Sequence, residues 1–129
     1  MKNRFDPVEG RNAEIIEAIM SCPELKDVDE DQLFKIRLCV EEVEENILCY
    51  SGTTWVEVSV ENDGKSISIS FVDGGVKFDP LEKEDPDVNA SLEDRKVGGL
   101  GIFLCKKMMN EVRYVYSNGC NHFQMILNI

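Results

Sequence analysis

The sequence predicts an α+β sandwich, an antiparallel-rich sheet with helices on one face. Three observations predict it: two amphipathic helical stripes near the start, four alternating strand-like runs after them, and one further helix between the second and third runs. Residues 10–21 place Ile15, Ile16 and Ile19 on one helical face, and Pro23 stops the helix. A second helix starts at Asp29, where Asp29 followed by Gln32 resembles a capping box, and runs to about Tyr50 before Ser51-Gly52. Its apolar stripe is Leu33, Ile36, Val40, Val43 and Ile47, at spacings of three and four, with Glu41, Glu44 and Glu45 assigned to the solvent side. Residues 54–61 and 66–72 alternate with period two around the turn Asn62-Asp63-Gly64-Lys65. Residues 79–96 are polar, proline-punctuated and aperiodic, the mark of a lid or binding loop. A third helix is expected just after Gly101, from Ile102 to about Asn110, and strands Val112–Ser117 and Asn121–Ile129 follow around Asn118-Gly119. The predicted order is therefore α-α-β-β-loop-α-β-β, within a single domain.

Charge narrows the function classes. The 129 residues carry a net charge of −11, which opposes binding to nucleic-acid phosphates. No apolar run approaches the roughly 20 residues that span a bilayer, and Met1–Pro7 lacks a signal-peptide core, so a cytoplasmic location away from membranes is expected. The charge is uneven: residues 1–50 hold 13 acids and 6 bases, residues 51–94 hold 11 and 3, and residues 95–129 hold one acid against five bases. The cationic stretch coincides with Val97-Gly98-Gly99-Leu100-Gly101, which reads either as a helix whose C-terminal half carries the cations its dipole favours or as an anion site. The cysteines (22, 39, 49, 105 and 120) are too scattered for a zinc site and read as reduced, mostly buried thiols. His122, alone of its kind, reads as a structural side chain in the last strand.

Three constellations carry chemistry. Glu42 and Asn46 lie four apart, on one flank of the second helix, where a carboxylate and an amide oxygen can ligate a hard cation or divide ligation and proton transfer between them. Asparagine gains nothing from mid-helix placement, so Asn46 asks for a role. Asp73-Gly74-Gly75 ends a strand on a carboxylate able to accept from a ligand amine, with glycines that admit a flat ring and Phe78 returning towards the core. Gly98-Gly99-Leu100-Gly101 leads into a helix whose exposed N–H groups and dipole suit phosphates, although its spacing is neither a Walker A nor a G-x-G-x-x-G pattern.

In this order and at these gaps, the three resemble the N box (42–46), G1 box (73–78) and G2 box (98–104) of the GHKL, or Bergerat, ATP-binding fold, with residues 79–98 as the ATP lid. Within it the sequence is similar to the anti-sigma regulatory factor serine/threonine-protein kinases of bacterial partner-switching systems, over about residues 30–129. Asp79-Pro80 after Phe78, and Met108 to Tyr114 after the G2 helix, carry that narrower likeness. The resemblance implies a two-layer α/β sandwich with a mixed, mostly antiparallel sheet. It implies ATP and Mg²⁺ as cofactors, with Asn46 on the metal, Asp73 on the adenine amine and Gly75 at the ring. Phe78, Gly98, Gly99, Leu100 and Gly101 belong to the same nucleotide site, and the cationic segment adds Arg95 and Lys96. Glu42 is implied as the general base that takes the proton of an attacking serine hydroxyl. That serine belongs to a STAS-domain anti-sigma-factor antagonist, and a sigma factor is a second partner of such proteins. A histidine kinase of the same fold would need a dimerisation domain, for which 129 residues leave no room.

Two departures from the family pattern stand out. Met1–Glu9 is short and poor in strand pattern where relatives open with a β-strand that helps to pair subunits, which leaves homodimerisation open. Asn121 stands where many relatives carry Ser or Thr to support the adenine-binding aspartate. The alternative to a kinase is an ATP-dependent module that sequesters a sigma factor or other regulator without turnover. Retention of Glu42 favours the kinase, because a pure binder needs no base.

Overall fold

The computed structural model describes residues 1–82 and 99–129. The elements are β1 (Lys2–Phe5), α1 (Asn12–Met20), α2 (Glu30–Tyr50), β2 (Val56–Asn62), β3 (Ser66–Asp73), α3 (Gly99–Met108), β4 (Glu111–Ser117) and β5 (Cys120–Asn128), with 3-10 turns at Pro23–Leu25 and Pro80–Glu82. Helix α2 begins where Asp29, in extended conformation, accepts the Gln32 N–H at 2.9 Å. Glu30 and Asp31 in the first turn face the positive end of its dipole. It ends at Ser51, whose N–H still reaches the Ile47 carbonyl, and Gly52 then takes the left-handed conformation that other residues resist.

The strands form one sheet in the order β1-β2-β3-β5-β4. Each pairing is antiparallel, so the sheet is not mixed as the family resemblance implied. The β2–β3 hairpin closes as its sequence predicts: Asn62 Oδ1 accepts from Gly64 N–H, and Asp63 Oδ1 from those of Lys65 and Ser66. The opening strand, which the sequence reading doubted, is present. β1 pairs Lys2–Phe5 with Ser59–Val56 at the sheet edge. Four residues, of which Phe5 alone is buried, are too few to show alternation.

Alternate strand residues point to the helical layer. Val58, Ile69, Phe71 and Met125 are buried there against Ile15, Ile19, Ile36 and Val40 in one apolar core. Fully burying each such side chain contributes roughly 1.5–3 kcal/mol, so this shared face holds the layers together. The opposite face is half-buried and polar, with Gln124 donating to Ser68 and His122 set between Val72 and Val115. Helix α3 lies beside α2, and the Cys105 thiol contacts the Cys39 carbonyl at 3.8 Å. The cysteines are all free, and Cys22, Cys39 and Cys105 are buried, whereas Cys49 is exposed. Among the described residues no helix is long and apolar enough to cross a membrane.

Helix α3 starts at Gly99, three residues earlier than its sequence predicts. Glycine costs about 1 kcal/mol inside a helix, which is why the run reads as a loop. The structure gives Gly101 a reason to be helical, taken up below. Replacement of Asp29 by Ala removes the α2 cap and is expected to cost about 1 kcal/mol of unfolding free energy in urea titration, with an unchanged m-value.

Candidate functional site

The end of β3, the start of β5, the C-terminal half of α2 and the start of α3 enclose a cavity. Asn46, Ser51, Asp73, Phe78, Pro80, Ile102, Tyr114 and Asn121 line it, with Val43, Ile47 and Phe123. Three sequence-predicted residues, Asn46, Asp73 and Phe78, thus face one space, although α2 and β3 are far apart in the chain.

Register positions Asp73. It is the last residue of β3, paired with Val56 on one side and Asn121 on the other, and it points inward with the core residues. It is 2% exposed. Its Oδ1 accepts the Gly75 N–H at 2.9 Å and the Asn121 amide N–H at 3.0 Å. The residue that replaces a Ser or Thr therefore does support the aspartate, and does so directly. The Tyr114 hydroxyl, from edge strand β4, donates to Asn121 at 2.5 Å. Burial, ahead of the Asp79, Asp73 and Glu82 charges, raises the Tyr114 pKa, so this hydroxyl keeps its proton.

The glycines have different reasons. A Cβ on Gly75 would run into the Ser51 carbonyl, whose oxygen accepts the Val76 N–H at 2.8 Å. That glycine is required by the α2 terminus, not solely by an approaching ring. A Cβ on Gly74 would stand 2.7 Å from the indole nitrogen of Trp55. A Cβ on Gly101 would overlap the Glu42 carboxylate, so Gly101 is where that carboxylate lies against the first turn of α3. The N–H groups of that turn, from Gly99, Leu100 and Gly101, which helix geometry leaves without intrahelical partners, directly precede Ile102 in the cavity wall.

Glu42 is half-buried, and its pKa is raised by that burial first and by the Glu45 and Glu41 charges next. Asn46 is buried one turn further along the same flank. Arg95, Lys96 and Gly98 lie outside the described residues, as does the expected lid beyond Glu82. Its start is not loose: Asp79 Oδ1 accepts the Leu81 N–H, and Pro80 is buried in the cavity wall. His122 faces the other side of the sheet from the site.

Sequence reasoning missed Tyr50, Ser51 and Tyr114. The Tyr50 ring stacks on Phe78 at 5.2 Å, and its position four after Asn46 was the available signal. Glu44, which its acidic run assigns to solvent, is fully buried. It falls four after Val40 and three before Ile47, on the core stripe, and neither carboxylate oxygen has a hydrogen-bond partner among the described residues.

A family model for the histidine kinase-like ATPase domain matches residues 8–127. The chain belongs to the histidine kinase-like ATPase family. The sequence is also similar to the serine/threonine-protein kinase BtrW of Bordetella bronchiseptica (strain ATCC BAA-588 / NCTC 13252 / RB50), 26% identical over 96 residues that cover 71% of this chain and 68% of that protein. In this ATPase family member the two-layer α+β architecture brings Glu42, Asn46, Asp73 and the α3 terminus to one end of the sheet.

Glu44 makes a pH prediction. Burial, and secondarily the Asp73 charge, raises its pKa from 4.5 to about 7. The folded protein thus holds a proton that the unfolded chain loses above pH 4.5. Its contribution lowers stability as pH rises from 4.5 to 7, by on the order of 3 kcal/mol, and is level above that. Glu44→Leu is expected to raise the denaturation midpoint at pH 8 and to flatten the loss of stability between pH 5 and 7, measured by urea titration across that range.

Proposed function

We propose that this chain is a serine-protein kinase of a partner switch, which transfers the γ-phosphoryl group of ATP to a serine of a STAS-domain antagonist protein. The observation that carries the reading is the Glu42 carboxylate lying against Gly101 in the first turn of α3, the turn that leads into Ile102 in the wall of the cavity that Asn46 and Asp73 line. The name of the similar Bordetella protein, a serine/threonine-protein kinase, supports it.

The residues present fit a magnesium nucleotide. Among the described residues Asp73 Oδ2 has no hydrogen-bond donor, so an acceptor that takes an amine N–H faces the cavity. Asn46 offers a buried amide oxygen suited to a hard cation. The first-turn N–H groups of α3 and its dipole favour phosphate. Bound Mg-ATP supplies the transferable phosphoryl group and neutralises charge on it.

Glu42 acts as the base. It takes the proton of the serine hydroxyl as the new serine O–P bond forms and the bond to the ADP oxygen breaks. Its raised pKa makes it a better proton acceptor than an ordinary carboxylate, and Gly101 leaves it room at the phosphate end.

Isothermal titration with ATP, with and without Mg²⁺, tests the binding half. Affinity is expected to depend on magnesium and to fall at least about tenfold in Asp73→Asn, the loss for one hydrogen bond to a charged acceptor. Phosphate transfer to a STAS-domain antagonist from the same genome tests the chemical half. Glu42→Gln should lower transfer by about 10²–10⁴ while ATP affinity stays within about twofold. Wild-type transfer should fall with pH through a midpoint above the ordinary carboxylate value of 4.5, and the variant should lose that limb. No transfer by the wild-type protein would contradict the kinase assignment and leave a binding module, whereas equal transfer by wild type and Glu42→Gln would remove Glu42 as the base.

A further inference from the structure

Asn121 uses its whole hydrogen-bonding capacity inside the protein. A primary amide has two N–H donors and two acceptor lone pairs. Its Nδ2 donates to Asp73 Oδ1 at 3.0 Å and to the Val76 carbonyl at 2.8 Å. Its Oδ1 accepts from the Phe78 backbone N–H at 3.0 Å and from the Tyr114 hydroxyl at 2.5 Å. The four partners also fix which way the amide faces, since the flipped group would set its oxygen against a carboxylate and a carbonyl. At 4% exposure, the side chain has no spare donor to offer a ligand.

The consequence falls on Asp73. With Asn121 and the Gly75 N–H both on Oδ1, the carboxylate cannot turn without breaking two hydrogen bonds. Oδ2 is left as an acceptor towards the cavity. A hydroxyl at position 121 has one proton, so it could not hold Asp73 and Val76 together.

We infer that Asn121 is a positioning residue that sets nucleobase selectivity: it locks Asp73 and the turn through Val76 and Phe78 so that one fixed acceptor meets position 6 of the purine. This rests on the nucleotide-binding reading above. A 6-amino purine donates to that acceptor. A 6-oxo purine sets oxygen against oxygen, and the locked carboxylate cannot swing away to relieve it.

The test compares Mg-ATP with Mg-ITP, which carries a 6-oxo group in place of the amine, by isothermal titration. Asn121→Asp is nearly isosteric and keeps both acceptor contacts but turns both donor contacts into oxygen–oxygen contacts. Wild type is expected to prefer ATP by about 100-fold, and Asn121→Asp to reduce that ratio at least about tenfold, mainly through weaker ATP binding. Asn121→Ser, which retains a single donor, is the second variant should Asn121→Asp not unfold cooperatively, and its ratio should fall between the two. A merely structural role would lower both affinities in parallel, and an unchanged ratio would overturn the inference while leaving nucleotide binding intact. No ATP binding by the wild-type protein would instead overturn the nucleotide reading, and this inference with it.

Discussion

A carboxylate buried at a strand end must be met by donors or give up its charge, and Asp73 is met by two on one oxygen. That constraint organises this end of the molecule. Pairing of β3 with β5 must set residue 73 opposite residue 121, because a slip of one position would turn both side chains to the far face. Asn121 in turn holds the backbone of Val76 and Phe78, and Val76 reaches the Ser51 carbonyl at the end of α2. One buried pair thereby joins the sheet, the turn after β3 and the helix that carries Glu42.

The second junction is between helices. Gly101 admits the Glu42 carboxylate against α3, and one turn away the Cys39 carbonyl meets the Cys105 thiol. A larger residue at 101 would displace Glu42, so the helical cost of glycine is accepted where that carboxylate needs space. Glu42 and Glu44 illustrate how two carboxylates two residues apart diverge. Glu42 stays half-exposed on the α3 flank, while Glu44 is turned into the core without a partner. The neighbouring charge on Asp73 adds to that cost, as charges in a low-dielectric setting do.

Much of this was legible in the chain because local rules and tertiary packing agree. The Asp29 cap, the α2 stripe and the Asn62–Lys65 turn appear where spacing and side-chain chemistry put them. So do Asn46, Asp73 and Phe78 around one cavity. What stayed hidden depends on neighbours remote in sequence. β1 is short, at an edge, and buries only Phe5, so it lacks a period. The early start of α3 follows from a carboxylate on α2, which the glycine run does not mention. Glu44 sits in an acidic run whose composition suggests water, although its phase with Val40 and Ile47 points to the core. Tyr114 joins the site through the β4–β5 register, and the Met108–Tyr114 run that contains it says nothing of its contact with Asn121.

The central claim is that the space between α2, α3 and the ends of β3 and β5 is the nucleotide site. Amide NMR spectra recorded during titration with Mg-ATP test it most directly. The account predicts that shifts concentrate on the backbone amides of Gly75, Phe78 and Ile102 and on the side-chain amides of Asn46 and Asn121. Shifts confined to the opposite face of the sheet, around Arg113, His122 and Gln124, or no shifts at millimolar nucleotide, would contradict it.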